Sequence, residues 1–446
     1  MQAPSWLTAQ LIVSVVTIVV MVHVILVACA YLVYFERKIS AYIQDRIGPN
    51  RVGFDFGLKP LAFLKGMWGL GQSLADGIKF MLKEDYTPNR VDKVLFSLAP
   101  IIVVSPALMG FIVIPWGGVW DMPSFTIPFI NMHIEGGPVQ VAGAALNVGI
   151  VYLLAVAALG VYGVTLGGYA GNNKFSFLGG LRASAQMISY EIPLGLALLA
   201  ALLAYGTVLP ENIIRHQVEN GWLLLSQPLA CLIFFIAILA EANRAPFDNA
   251  EAEQELVGGY HTEYGSMRFA LFFLAEYAHL TTSSAFLVML FFGGYHLPGT
   301  GLPGLELLSP DATGILAVLA KVAVFLTKVV LVVCFTMVIR WTIPRLRYDQ
   351  IMMGGWQMLI PLALLNVVVV SIMIYLGLTG IVPMLLANVL LTAIAVVALP
   401  LLPKPDANRR IPLYGSRFSP MAGERVRTQP SEPLALEDRP VQGLAQ

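Results

Sequence analysis

The sequence has 446 residues, of which 57% are hydrophobic and 12% charged, and its mean hydropathy is +0.74. Soluble domains carry about 25% charged residues, so this composition describes a polytopic membrane protein instead. The zero net charge gives no global field to hold nucleic acid, and Cys29, Cys231 and Cys334 stand singly in apolar runs, unlike zinc, iron–sulfur or disulfide frameworks.

No glycine-rich nucleotide fingerprint follows a strand, so no NAD or flavin site is expected. Residues 1–10 lack Lys and Arg, and the apolar run behind them reaches Glu36-Arg37-Lys38 without a small-residue cleavage site. It reads as a retained span.

A span takes roughly 20 apolar residues to cross about 30 Å of hydrocarbon. Nine segments qualify: 11–34, 94–114, 141–166, 186–208, 222–240, 264–292, 314–339, 356–376 and 381–402. The expected fold is therefore all-α: about nine transmembrane helices in one domain, residues 1–402, followed by a tail at 403–446 whose composition predicts disorder. With the N-terminus outside, all but three of the 27 Lys and Arg fall on the cytoplasmic side, in 35–93, 167–185, 241–263, 340–355, the tail, or at span ends. The exceptions are Arg215, outside, and Lys321 and Lys328, within a span. This places a multi-pass protein in a cell membrane, with its C-terminus cytoplasmic.

The first cytoplasmic loop contains a stretch too polar to span, residues 61–83. At 100° per residue Lys65, Gln72, Asp76, Lys79 and Lys83 share one stripe, while Phe63, Met67, Leu70, Leu74, Ile78 and Met81 lie opposite. That pattern predicts an interfacial amphipathic helix lying on the bilayer. Gly66, Gly69, Gly71 and Gly77 each weaken it by up to about 1 kcal/mol relative to Ala, so it needs a partner surface.

Charge inside a span costs at least about 2.5 kcal/mol on insertion scales and marks function or pairing. Glu276, in the sixth span, and Lys328, twelve residues before Arg340, both come out about 18 Å deep at 1.5 Å per residue. They are placed to form an interior ion pair. Glu191 enters a turn or two from the cytoplasmic side, and Glu241 closes the fifth span before Ala245-Pro246, so the acids descend in a row. Asp248, Glu251, Glu253, Glu255 and Glu263 follow with only Arg244 and Arg268 to balance them, and self-repulsion should raise some of their pKa values toward neutrality. A solvated acidic loop is the plainer reading of Glu251, Glu253 and Glu255, as a structural ion pair is for Glu276. His261 and His279 have no carboxylate or cysteine at ligand spacing, which favours hydrogen bonding over metal.

The loop strings resemble a known family. They are Glu36-Arg37-Lys38, Gln44-Asp45-Arg46-Ile47-Gly48-Pro49-Asn50-Arg51-Val52-Gly53, Ala75-Asp76-Gly77-Ile78-Lys79 and Ser189-Tyr190-Glu191. The longest runs from Ala240-Glu241 through Arg244-Ala245-Pro246-Phe247-Asp248 and Glu251-Ala252-Glu253-Gln254-Glu255 to His261-Thr262-Glu263-Tyr264, and Ala275-Glu276-Tyr277 and Arg345-Leu346-Arg347-Tyr348-Asp349-Gln350 close the set. In this order they resemble the H subunit of NADH-quinone oxidoreductase, respiratory complex I. The resemblance implies a membrane subunit that carries no redox centre and works only within its complex. It would dock the iron–sulfur and quinone-site subunits of the redox arm, border other membrane-arm subunits, and enclose a cavity for quinone as substrate. Glu36, Arg37, Arg46, Arg51, Asp76 and Lys79 would line or brace the cavity entrance and loops. Glu191, Glu241, Asp248, Glu251, Glu253, Glu255, Glu263 and Glu276, with Lys328, would carry proton coupling. Two departures stand out: an insertion around Phe63 to Ser73, and Ala157 and Ala158 where some members carry an acid. The membrane subunit of an energy-converting hydrogenase shares the acidic features without needing quinone, and a secondary transporter would show repeats that this sequence lacks.

Overall fold

The computed structural model describes residues 8–55, 59–127, 132–250, 253–298 and 308–398. The predicted tail and Glu251 lie outside them. In chain order the helices are α1 (Ala9–Ile43), α2 (Gln72–Leu82), α3 (Lys93–Met109), α4 (Gly149–Ala170), α5 (Lys174–Tyr205), α6 (Pro210–Asn220) and α7 (Leu223–Ser226). There follow α8 (Pro228–Glu241), α9 (Glu253–Leu256), α10 (Ser266–Phe291), α11 (Ile315–Thr342), α12 (Tyr348–Met353), α13 (Ile360–Tyr375) and α14 (Ile381–Ala398). Among the described residues eight helices are long and apolar enough to cross a membrane, and α10 is the most buried of them.

The predicted fifth span is the exception. Pro228 supplies no N–H and disfavours helical backbone at the residue before it, so Gln227 leaves the helix at φ −128°, ψ 62° and the apolar stretch divides into α7 and the 14-residue α8. The eighth starts before its expected boundary, because α12 runs through a π-helical turn at Gly354–Leu359 into α13.

Two small antiparallel ladders, absent from the all-α expectation, join α3 to α4: β1 (Val119–Met122) pairs with β4 (Gly137–Gln140), and β2 (Phe125–Ile127) with β3 (Met132–Ile134). Gln10 of α1 closes on this element, its amide donating to Gln140 O at 3.0 Å and accepting from Gln140 N at 2.8 Å.

The predicted amphipathic helix over 61–83 forms only from Gln72 onward. Short 3-10 turns at Lys59–Leu64 and Met67–Gly69 precede it. Gly69 explains the break: its φ is +81°, and a Cβ there would come within 2.5 Å of Pro49 O, so the chain turns left-handed where it crosses the first loop. The required partner surface is present. Ser73 Oγ donates to Ala30 O at 2.8 Å, Tyr34 OH to Trp68 O at 2.6 Å, and Ser266 Oγ to Phe80 O and Lys83 O at 2.9 and 2.8 Å. Thus α2 docks on α1 and α10 while Leu74, Ile78 and Met81 stay exposed.

Candidate functional site

The end of α8 builds the centre of the site. Asn243 takes φ 50°, a left-handed conformation that Asn tolerates better than most residues, and the Arg244 N–H closes on Leu239 O at 3.0 Å. Gln186 of α5 pins this turn by donating to Ala240 O and Phe247 O at 2.8 and 2.7 Å. The reversal carries Arg244 back into the helix bundle, where it is 4% exposed.

Buried Arg244 meets two carboxylates. Its Nε lies 2.7 Å from Glu276 Oε1 and its Nη1 lies 3.2 Å from Glu36 Oε2. The guanidinium also sits 4.1 Å from the centre of the Tyr277 ring, whose hydroxyl donates to Glu36. The other Glu36 oxygen takes Arg340 Nη1 at 2.7 Å. Burial works against the Arg244 charge, yet Glu276 and Glu36 outweigh it and hold the pKa well above the ordinary arginine value. The Glu276 contact is an ion pair by distance with its N–H off the hydrogen-bonding line, and Arg244 Nη2 also lacks a protein acceptor. The network has spare donor capacity, which a substrate or water can use.

This overturns the expected Glu276–Lys328 pair. Lys328 Nζ donates to Phe292 O, Gly294 O and His296 O at 2.7, 2.8 and 2.5 Å and lies 4.7 Å from the Trp222 ring centre. These carbonyls close the far end of α10, roughly 24 Å from Glu276 at 1.5 Å per residue. The two expected depths do not match: Arg340 stands level with Glu276, since both join the Glu36–Arg244 pair.

On one side of the network an apolar cleft of ≈ 390 Å³ opens between α1, α2 and α10, lined by Ala30, Val33, Gly77, Phe80, Leu274 and Tyr277 among others. Arg37 and Asp76, both cleft residues, pair across it at 2.7 Å. On the other side two small cavities meet at Glu241 and His279, one of ≈ 40 Å³ that Glu276 also lines and one of ≈ 20 Å³ toward Thr282 and Ser283. Glu241 is 6% exposed, and half-buried Glu191 on α5 acts on it electrostatically. Of the three acids read from the sequence, Glu276 and Glu241 line one cavity.

The remaining predicted residues scatter around this core. Asp248 is buried and takes Arg345 Nη2 at 2.6 Å; burial raises its pKa and Arg345 opposes the rise. Burial, then, moves this carboxyl more than the self-repulsion expected from the sequence. Glu255 pairs with Arg182 at 2.5 Å, and Glu263 accepts from Asn173 Nδ2 at 2.7 Å. Glu253 opens α9. Arg46, Arg51 and Lys79 are exposed at the basic end and do not join the network. Sequence reasoning missed Arg340 and Tyr277, and read His279 only as a hydrogen-bonding group, whereas its Nε2 has no hydrogen-bond partner. Arg340 was legible only as an orientation signal, while Tyr277 sits beside Glu276 in a recognised string.

A family model described as NADH dehydrogenase matches residues 16–371. An NADH-quinone oxidoreductase H subunit of Cytophaga hutchinsonii is 42% identical over 77% of this chain and 91% of its own length. The corresponding H subunit of Protochlamydia amoebophila is 44% identical over 77% of this chain and 92% of its own. One from Geobacter sulfurreducens is 42% identical over 81% and 95%.

Proposed function

Since the chain belongs to the NADH dehydrogenase family, we propose that it is the membrane subunit of a proton-translocating NADH-quinone oxidoreductase, lining the quinone cavity, docking the redox arm and starting the proton-coupling path. One observation carries the reading: the apolar cleft between α1, α2 and α10 backs onto the buried Glu36–Arg244–Glu276 network. Its volume of ≈ 390 Å³ falls in the about 300–1,000 Å³ range of small-molecule sites. An isoprenoid tail needs apolar walls, and a headgroup that gains charge on reduction needs cations and proton donors at the inner end.

The division of labour follows from placement. Arg37 and Asp76 gate the cleft beneath α2, whose exposed Leu74, Ile78 and Met81 rest on lipid. Arg46, Arg51 and Lys79 face the redox-arm iron–sulfur and quinone-site subunits, with adjacent membrane-arm subunits beside the bundle. Glu276, Glu241 and Glu191, joined by Asp248, Glu255, Glu263 and the loop acids Glu251 and Glu253, transmit the protonation change. The basic loops face the cytoplasm of a cell membrane by the positive-inside rule.

Gly77 offers a clean test, because a Cβ there meets nothing within 4 Å and the position lines the cleft. Gly77→Leu should raise the KM for quinone roughly tenfold, an apolar-contact effect of about 1.4 kcal/mol, while NADH oxidation by a soluble artificial acceptor stays at the wild-type rate. An unchanged KM contradicts the cleft as the quinone route.

A further inference from the structure

His279 is a partly buried titratable group outside the acid row. It sits on α10 one turn beyond Glu276, and its Nε2 is 3.6 Å from Glu241 Oε1, slightly too long for a direct hydrogen bond. That nitrogen is shielded from solvent and has no other protein partner. His279 and Glu241 together line both small cavities.

The cavity sizes decide what these spaces can hold. A water needs about 10–15 Å³ of accessible volume and two to four polar partners, and the cavities offer ≈ 40 and ≈ 20 Å³. The first has Glu276, Asn243, Glu241 and His279 around it. The second has Glu241, His279, Thr282 and Ser283, and is closed on the α3 and α4 side by Gly110 and Ala157. Each is large and polar enough for water. The imidazole and the Glu241 carboxyl border both.

We propose that His279 is a proton-relay residue that takes protons from Glu241 and delivers them to water in the cavity bordered by Thr282, Ser283 and Ala157. The step balances: the Glu241 carboxylic acid loses its proton to Nε2, leaving carboxylate and imidazolium, and the imidazolium then gives one proton to water and returns to neutral. The path thereby turns from the acid row toward the α3–α4 face. This deepens the proton-coupling reading and rests on it.

The test uses the assembled complex in sealed membrane vesicles, with protons translocated and quinone reduced measured beside NADH oxidation by an artificial acceptor. His279→Gln keeps hydrogen-bonding shape but cannot ionise, and should lower quinone-linked pumping roughly a hundredfold, the low end of an acid–base contribution, with artificial-acceptor activity retained. Adding Ala157→Glu to that variant returns an ionisable group to the second cavity and should restore pumping. Restoration supports the relay, because a structural role for His279 would not be repaired from α4; failure to restore overturns it. Should His279→Gln not assemble, Ala157→Leu, which fills the second cavity and leaves His279 in place, decides: wild-type pumping overturns the proposal and a similar loss supports it. Glu241→Gln separates the two levels. Loss there with His279→Gln unaffected overturns the relay alone; no loss in either variant overturns the proton-coupling reading itself.

Discussion

Arg244 and Lys328 are both cations stacked on an aromatic ring inside the bundle, one beside the middle of α10 and the other at its C-terminal end, yet they are held in opposite ways. Arg244 meets the carboxylates of Glu36 and Glu276. Lys328 meets three backbone carbonyls. Carboxylates bind protons and carbonyls do not, so the partners of Arg244 can change state, whereas around Lys328 only the ammonium itself can. Placement agrees with chemistry: cavities flank the first, whereas the second caps the last turn of α10, where unpaired carbonyls attract a cation.

Replacing each cation breaks the comparison if it is wrong. Arg244→Met leaves the Glu276 carboxylate unpaired while Glu36 keeps Arg340 and Tyr277, and should cost about 3–5 kcal/mol, read as a fall in the melting temperature of the purified complex together with lost quinone reductase activity. Lys328→Met frees three acceptors and should cost about 1–3 kcal/mol, with turnover per assembled complex unchanged. Lost turnover at equal assembly would erase the distinction.

Arg345→Gln sharpens the boundary of the exchanging region. Asp248 is buried but Arg345 is about one-third exposed, so the loss should be smaller, about 1 kcal/mol, and Asp248 should protonate more readily without its opposing charge. Infrared titration of the carboxyl checks this.

A last effect, confined to acid pH, concerns His261, whose pKa burial lowers to about 4. Below its unfolded value of about 6.5 the unfolded chain binds a proton that the folded chain refuses. Its contribution to stability is therefore complete above about pH 6.5 and declines as pH falls toward 4. On acidification through that window the melting temperature of the wild type should fall further than that of His261→Gln.

How much of this was legible in the sequence varied with the physics. Span positions were readable because hydrocarbon sets the length of an apolar run, and α1, α10 and α11 lie where composition put them. The β1–β4 and β2–β3 ladders were not, since three- or four-residue strands are too short for alternation to show. Glu276 and Glu241 announced themselves as charges in apolar runs. Their partners did not, because pairing depends on relative helix depth: Arg340 joins the charged network level with Glu276, which puts Lys328, twelve residues along the same helix, far from that acid. His279 carried no signal beyond its residue type, for its meaning comes from two cavities formed by other helices.

The most direct test of the account is the paired rates of quinone reduction and proton translocation by the Glu276→Gln complex in sealed vesicles. The account predicts that quinone reduction and pumping fall together while NADH oxidation by an artificial acceptor is retained. Wild-type pumping driven by quinone in that variant would contradict it.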